Sequence, residues 1–138
     1  MKSTLPEVGD RMPQLVVGPF TSRDLAAYAE ASGDTNPLHL DAHLAGSVGL
    51  AAPPVHGMLL LAAFEPALQG WRRDLQIARL SARFTQPVLE GEAITLSGRV
   101  LRATDGENPH ILMRLMGNGA SRVPAVVAEA VLVPRQTA

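Results

Sequence analysis

One apolar stretch, residues 57–69, is followed by nearly all of the β-rich sequence in this chain. It reads Gly-Met-Leu-Leu-Leu-Ala-Ala-Phe-Glu-Pro-Ala-Leu-Gln, with no β-branched residue and apolar positions on nearly every side of a helical wheel. Such a segment predicts a helix buried among other elements. Pro66 lacks an N–H, so the helix is expected either to kink there or to be shorter than the stretch. Beyond Gly70, residues 77–85, 93–102, 111–116 and 123–133 carry β-branched side chains in partial alternation. Turn clusters separate them at Glu90-Gly91, at Asp105-Gly106-Glu107-Asn108-Pro109 and at Gly117-Asn118-Gly119. Helices first and strands later predict an α+β fold, an antiparallel meander packed against the apolar helix.

Upstream, residues 1–20 are rich in Pro and Gly and read as an irregular lead-in with a short strand at 14–17. Thr21-Ser22-Arg23-Asp24 resembles a capping box, which predicts a helix of about three turns with Leu25, Tyr28, Ala29 and Ser32 on one face. Gly33 can take the left-handed conformation that ends a helix. Asn36-Pro37 cannot continue one, because proline has no donor and disfavours the helical region for the residue before it. The chain is therefore expected to turn sharply through 34–37 and bring Asp34 and His39 to one pocket. A carboxylate and an imidazole within reach of one water make an acid–base pair. An Asx turn would explain Asp34 and Asn36 without any chemistry. A short second helix is expected over 41–48, capped by Asp41, and a loop with Pro53-Pro54 over 49–55.

The chain has 138 residues, 46% apolar and 18% charged. That suits one globular domain spanning 1–138 with a substantial core. A formal net charge of −1 and no block of Lys or Arg argue against nucleic acid as the main partner. The absence of cysteine excludes disulfides, thiolate metal sites and a cysteine nucleophile. The longest unbroken apolar run, 58–64, is far too short to span a bilayer, so no membrane partner is expected. The first residues show no apolar signal core. A soluble cytoplasmic protein is the expectation.

Three stretches, in order, resemble the MaoC-like dehydratases, the family that includes the (R)-specific enoyl-CoA hydratases. The first is Tyr28 to His39, with Ser-Gly-Asp-Thr-Asn-Pro-Leu-His and Ala45 at the matching offset. The second is Pro54-Val55-His56-Gly57-Met58-Leu59. The third is Phe84-Thr85-Gln86-Pro87-Val88-Leu89-Glu90-Gly91-Glu92. The resemblance covers roughly residues 20–135. It implies a hot-dog fold, a curved antiparallel sheet wrapped around a central helix, usually paired into a dimer through a continuous sheet. It also implies reversible addition of water to a trans-2-enoyl thioester carried on CoA or acyl-carrier protein. By position, Asp34 and His39 match the family's catalytic pair, and Gly57 matches the glycine whose N–H faces the thioester carbonyl. Asn36 and Met58 are expected to border the substrate, and a homodimer is the expected assembly. Ala62 stands where some members have a serine near the site, and Pro66 falls within the central helix.

This chemistry needs a water activated at Cβ, a proton delivered to Cα and a donor to the thioester oxygen, where charge gathers. Asp34 and His39 can hold the water, and their titrations are coupled, so sequence does not divide acid from base between them. Gly57, opening a helix, offers an unpaired first-turn N–H, a favourable dipole and no Cβ to obstruct a substrate. No metal or organic cofactor is required. The other histidines read as structural: His43 on the solvent side of a short helix, His56 shaping the turn into the central helix, His110 in a hairpin. Glu65 is the rival, because a hot-dog thioesterase can place an acid on that helix; its plain reading is the helix's one polar face. Arg72, Arg73, Arg79 and Arg83 are candidates for CoA phosphates. A third reading is a non-catalytic subunit of a dehydratase heterodimer.

Overall fold

Five strands pair antiparallel in the order β1-β3-β4-β5-β2. The computed structural model describes residues 4–136. Along the chain the elements are β1 (Arg11–Val17), α1 (Ser22–Ser32), a 3-10 turn (Pro37–His39), α2 (Ala42–Ser47), α3 (Gly57–Ala62), α4 (Phe64–Trp71), β2 (Leu75–Phe84), β3 (Ile94–Thr104), β4 (His110–Asn118) and β5 (Val126–Pro134). The strands run longer than alternation alone predicts. Register explains why: Ile111, Met113 and Leu115 of β4 stand opposite Leu132, Ala130 and Ala128 of β5, all buried on one face. Backbone pairing continues past the point where the side chains stop alternating.

The inner face of the sheet closes on α4, where Phe64 and Leu68 are fully buried. Each buried side chain of this size contributes about 1.5–3 kcal/mol. The expected central helix is in fact two. α3 ends at Ala62 and α4 starts at Phe64, with Ala63 as the cap of both, and Pro66 occupies the first turn of α4. The missing proline donor leaves the Ala62 carbonyl without its usual partner, and a first turn is where that loss is tolerated. Nor is this segment buried all round. Leu60, Leu61, Phe64, Ala67 and Leu68 face the core, while Met58, Ala62, Glu65 and Pro66 are exposed. None of the described helices is long and apolar enough to cross a membrane.

Local signals set the first half. Thr21 and Asp24 form the reciprocal capping box of α1. The Thr21 N–H and then its hydroxyl hold the Asp24 carboxyl below the usual carboxylate range. Gly33 ends the helix with φ 79°, and its N–H donates to the Ala29 carbonyl. The Asp41 carboxylate caps α2 by accepting from the N–H groups of His43 and Leu44. The third motif acts as a clamp. Val55 donates to Val88 at 2.7 Å and Glu90 donates to Pro53 at 2.8 Å, which ties the entrance of α3 to the loop after β2.

Candidate active site

Asp34 leaves α1 through two linked side-chain turns. Its Oδ1 accepts from the Asn36 N–H at 3.3 Å, and the Asn36 Oδ1 accepts from the Leu38 N–H at 3.0 Å. These bonds carry the chain from Gly33 into the 3-10 turn that ends at His39. The His39 Nδ1 lies 2.7 Å from the Pro54 carbonyl oxygen. A carbonyl only accepts, so Nδ1 carries a proton and a neutral ring keeps its lone pair on Nε2. That Nε2 lies 4.0 Å from the Asp34 Oδ2, with the side chains 16% and 50% exposed respectively. The separation is too long for a direct hydrogen bond, so the two polar atoms face one another across a gap open to solvent.

His56 sits behind this pair, only 1% exposed. Its ring stacks on His39 with centroids 3.9 Å apart, and Tyr28 tilts against it at 4.8 Å. Its Nε2–H donates to the Asp34 main-chain carbonyl at 3.3 Å, and its buried Nδ1 has no partner among the described residues. Burial, and then the charge of His39, push its pKa down, with the bond to the Asp34 carbonyl opposing them. The sequence reading gave His56 only a turn-shaping part. The available signal was a polar ring placed between the apolar run Pro53-Pro54-Val55 and the apolar helix that starts at Gly57, where a buried polar group needs a partner. Asp34, His39 and His56 bring ligand atoms within 4.8 Å of one another. The two rings are stacked 3.9 Å apart and only 22° from parallel, however, so one ion cannot lie in both ring planes at bonding distance.

Gly57 opens α3 beside a cleft of about 380 Å³ that Pro54, Leu60, Phe84 and Val88 also line. A Cβ on Gly57 would meet the Phe84 ring at 3.1 Å, so the space left by the missing side chain is taken by that ring. α3 has six residues, so its first N–H groups act singly rather than as the end of a strong macrodipole. Pro54 links the two regions: it lines the cleft and receives the His39 hydrogen bond. His39 itself borders a neighbouring depression with Ser22, Leu40 and Glu90.

A model of the MaoC-like domain matches residues 7–114, which include Asp34, His39, His56 and Gly57. The chain belongs to the MaoC-like domain family. Among curated relatives, the mitochondrial 3-hydroxyacyl-[acyl-carrier-protein] dehydratase of Arabidopsis thaliana is 33% identical over 109 residues, covering 79% of this chain and 64% of that protein. The 3-hydroxyacyl-thioester dehydratase Y of Mycobacterium tuberculosis is 36% identical over 105 residues, 73% of this chain and 36% of that protein. The chain thus spans less than two thirds of the length of these curated relatives. The solved (R)-hydratase from Aeromonas caviae superposes with a TM-score of 0.84 at 29% identity, covering 96% of this chain and all of that one. The R-hydratase PhaJ1 of Pseudomonas aeruginosa gives 0.80 at 26% identity, covering 96% and 84%. The fold is the hot-dog fold.

In this MaoC-like domain the remaining sequence candidates scatter. Asn36 is exposed and its side-chain oxygen is engaged in the turn. Met58 is 58% exposed on the open side of α3. Ala62 is exposed and its side chain carries no polar atom. Glu65 is exposed in the first turn of α4, on the helix's polar side. Arg72 is engaged by Asp74 through two hydrogen bonds of 2.8 and 2.7 Å, which raise its pKa, and it also donates to the Thr4 carbonyl. Arg79 and Arg83 point to the outer face of the sheet, away from the helices. His43 is exposed on α2, and the His110 Nδ1 contacts the Asn108 carbonyl at the start of β4.

Proposed function

We propose that this domain adds water reversibly across a trans-2-enoyl thioester, as an (R)-specific enoyl-CoA hydratase or 3-hydroxyacyl thioester dehydratase. The observation that carries this reading is the 4.0 Å separation of the Asp34 Oδ2 and the His39 Nε2, with the ring's other nitrogen fixed on Pro54. One water fits between two such groups, bonded to both. In the hydration direction the pair begins with one proton between its facing atoms: the water oxygen bonds to Cβ as one member takes a proton from it, the other gives the pair's proton to Cα, and the pair ends with one proton as it began. The π electrons of the enoyl group move toward the thioester oxygen in the transition state. The Gly57 N–H, at the free start of α3, is the proposed donor to that oxygen, and a preorganised donor of this kind contributes about 3 kcal/mol. Acid and base are assigned to the pair as a unit.

The proposed assembly is a homodimer. β2 is an edge strand, Phe84 at its end is 45% exposed, and Met58, next to Gly57 in α3, is 58% exposed. A second copy pairing along β2 would cover both. Size-exclusion chromatography with light scattering is expected to give twice the 14.6 kDa chain mass.

The deciding assay mixes the protein with crotonyl-CoA and follows the enoyl absorbance. A fall in absorbance with formation of the (R)-3-hydroxy product supports the reading; unchanged absorbance over a series of enoyl-CoA lengths overturns it. Release of free thiol would instead indicate thioester hydrolysis, for which exposed Glu65 offers no enclosed carboxylate.

A further inference from the structure

The sheet's outer face, opposite the helices, is strongly cationic. Arg11 pairs with Arg99, Arg99 with Arg114 and Arg114 with Glu129, so three arginines stand side by side across β1, β3 and β4. Arg102 lies on the same face of β3, and Arg79 and Arg83 lie on the same face of β2. These six of the chain's 12 Lys and Arg residues are all exposed, and Glu129 is the one carboxylate in the strand registers of that face. Among the described residues none of the six forms an ion pair. The whole chain has a net charge of −1, so the charge is segregated rather than merely abundant. Like charges directly opposite on neighbouring strands oppose sheet formation, and Glu129, opposite Arg114, is the one carboxylate in register to offset six arginines.

We propose that this face docks an acidic protein, and specifically the protein that carries the acyl thioester; the identity of the partner rests on the hydratase reading. Three observations select a protein. Half-buried Leu112, Met116, Val127 and Val131 alternate with the arginines, which suits a surface presenting both carboxylates and apolar side chains. The face has no aromatic residue for stacking bases, as a single-stranded nucleic acid would use. A second copy of this chain stacked symmetrically here would set arginine against arginine. Arginine's planar fork matches a carboxylate in two bonds at once. Location supports the carrier: Arg83 immediately precedes Phe84, whose ring packs on Gly57 beside the cleft.

The test compares wild type with Arg99→Glu/Arg114→Glu on two substrates, crotonyl-CoA and crotonyl acyl-carrier protein. The expected result is at least a tenfold fall in kcat/KM on the protein-borne substrate and a change within twofold on crotonyl-CoA. Wild-type turnover of the protein-borne substrate should also decline with added salt, as screening of exposed charges requires. Equal rates in variant and wild type, or equal losses on both substrates, overturn the docking site. If wild type hydrates neither substrate the functional reading fails by itself. Docking is then read directly, by calorimetric titration with apo acyl-carrier protein at low salt: binding abolished in the double variant supports the surface, and no binding by wild type overturns it. Arg11→Glu/Arg102→Glu, on β1 and β3 of the same face, gives the same comparison if the first pair fails to fold.

Discussion

The ring of His56 lies almost flat against that of His39, with centroids 3.9 Å apart and planes 22° from parallel. One ring is buried and the other reaches solvent, so the buried one is a fixed wall for the exposed one. His56 also holds the Asp34 carbonyl. A single side chain thus braces both members of the proposed pair, one through ring packing and the other through the backbone.

Asp34→Asn and His39→Ala are each expected to lower hydration of crotonyl-CoA by about 10²–10⁴-fold, the range a positioned acid or base supplies. Asparagine can still accept from the Asn36 N–H, so the turn should survive the first change. Circular dichroism of both variants should match wild type. Activity within threefold of wild type in either would remove the pair from the chemistry.

His56→Phe keeps a flat ring against His39 but loses the bond to Asp34. The expected outcome is a fall in kcat of about tenfold, which corresponds to one hydrogen bond of ~1–1.5 kcal/mol, with KM changed less than twofold. Steady-state kinetics at saturating and limiting substrate separate the two. A pure rise in KM would instead place His56 in substrate binding.

Stability should depend on pH through His56. Its pKa is lowered in the fold, first by burial, so the unfolded chain binds a proton that the folded one refuses. The contribution is fully present above the unfolded value of 6.5 and is lost as pH falls from there toward the lower folded value. For one group the slope cannot exceed about 1.4 kcal/mol per pH unit. Urea titrations between pH 8 and pH 5 are expected to show a shallower acid limb in His56→Phe than in wild type. Parallel limbs would show that His56 takes up its proton equally in both states.

Gly57→Ala sets helix propensity against a tight contact. Alanine gains roughly 0.5–1 kcal/mol over glycine within a helix, and the new Cβ meets the Phe84 ring at 3.1 Å. That ring is 45% exposed and free to yield, so the two effects should nearly cancel. The midpoint of thermal unfolding should therefore move by only a few degrees. Hydration activity should fall well beyond that, because the displaced ring closes on the cleft beside the Gly57 N–H. An active, equally stable variant would show that the ring yields without closing the cleft beside the Gly57 amide.

Local chemistry was legible where neighbours in sequence are neighbours in space. The Thr21–Asp24 capping box, the Gly33 stop, the Asp41 cap and the turn through Asn36-Pro37 each involve residues within four positions of one another. The effect of Pro66 was foreseen in kind but not in place. The break falls at Ala63, because the proline's missing donor is felt one turn upstream. The apolar helix misled on burial: Met58, Ala62 and Glu65 share an open side that composition alone could not reveal.

The sequence by itself determined the α+β class, the caps of α1 and α2, the turn that sends Asp34 and His39 out of one helix, and membership of the MaoC-like domain family, because each is written in short-range spacing or in motif order. Only the tertiary structure decided that His39 leans on Pro54, that His56 lies beneath it, that Phe84 occupies the space Gly57 leaves, and that arginines from three strands form one row. Those relations join residues 15 to 88 positions apart. Strand register and the packing of the sheet on α4 bring them together, and neither is encoded in any single stretch of the chain.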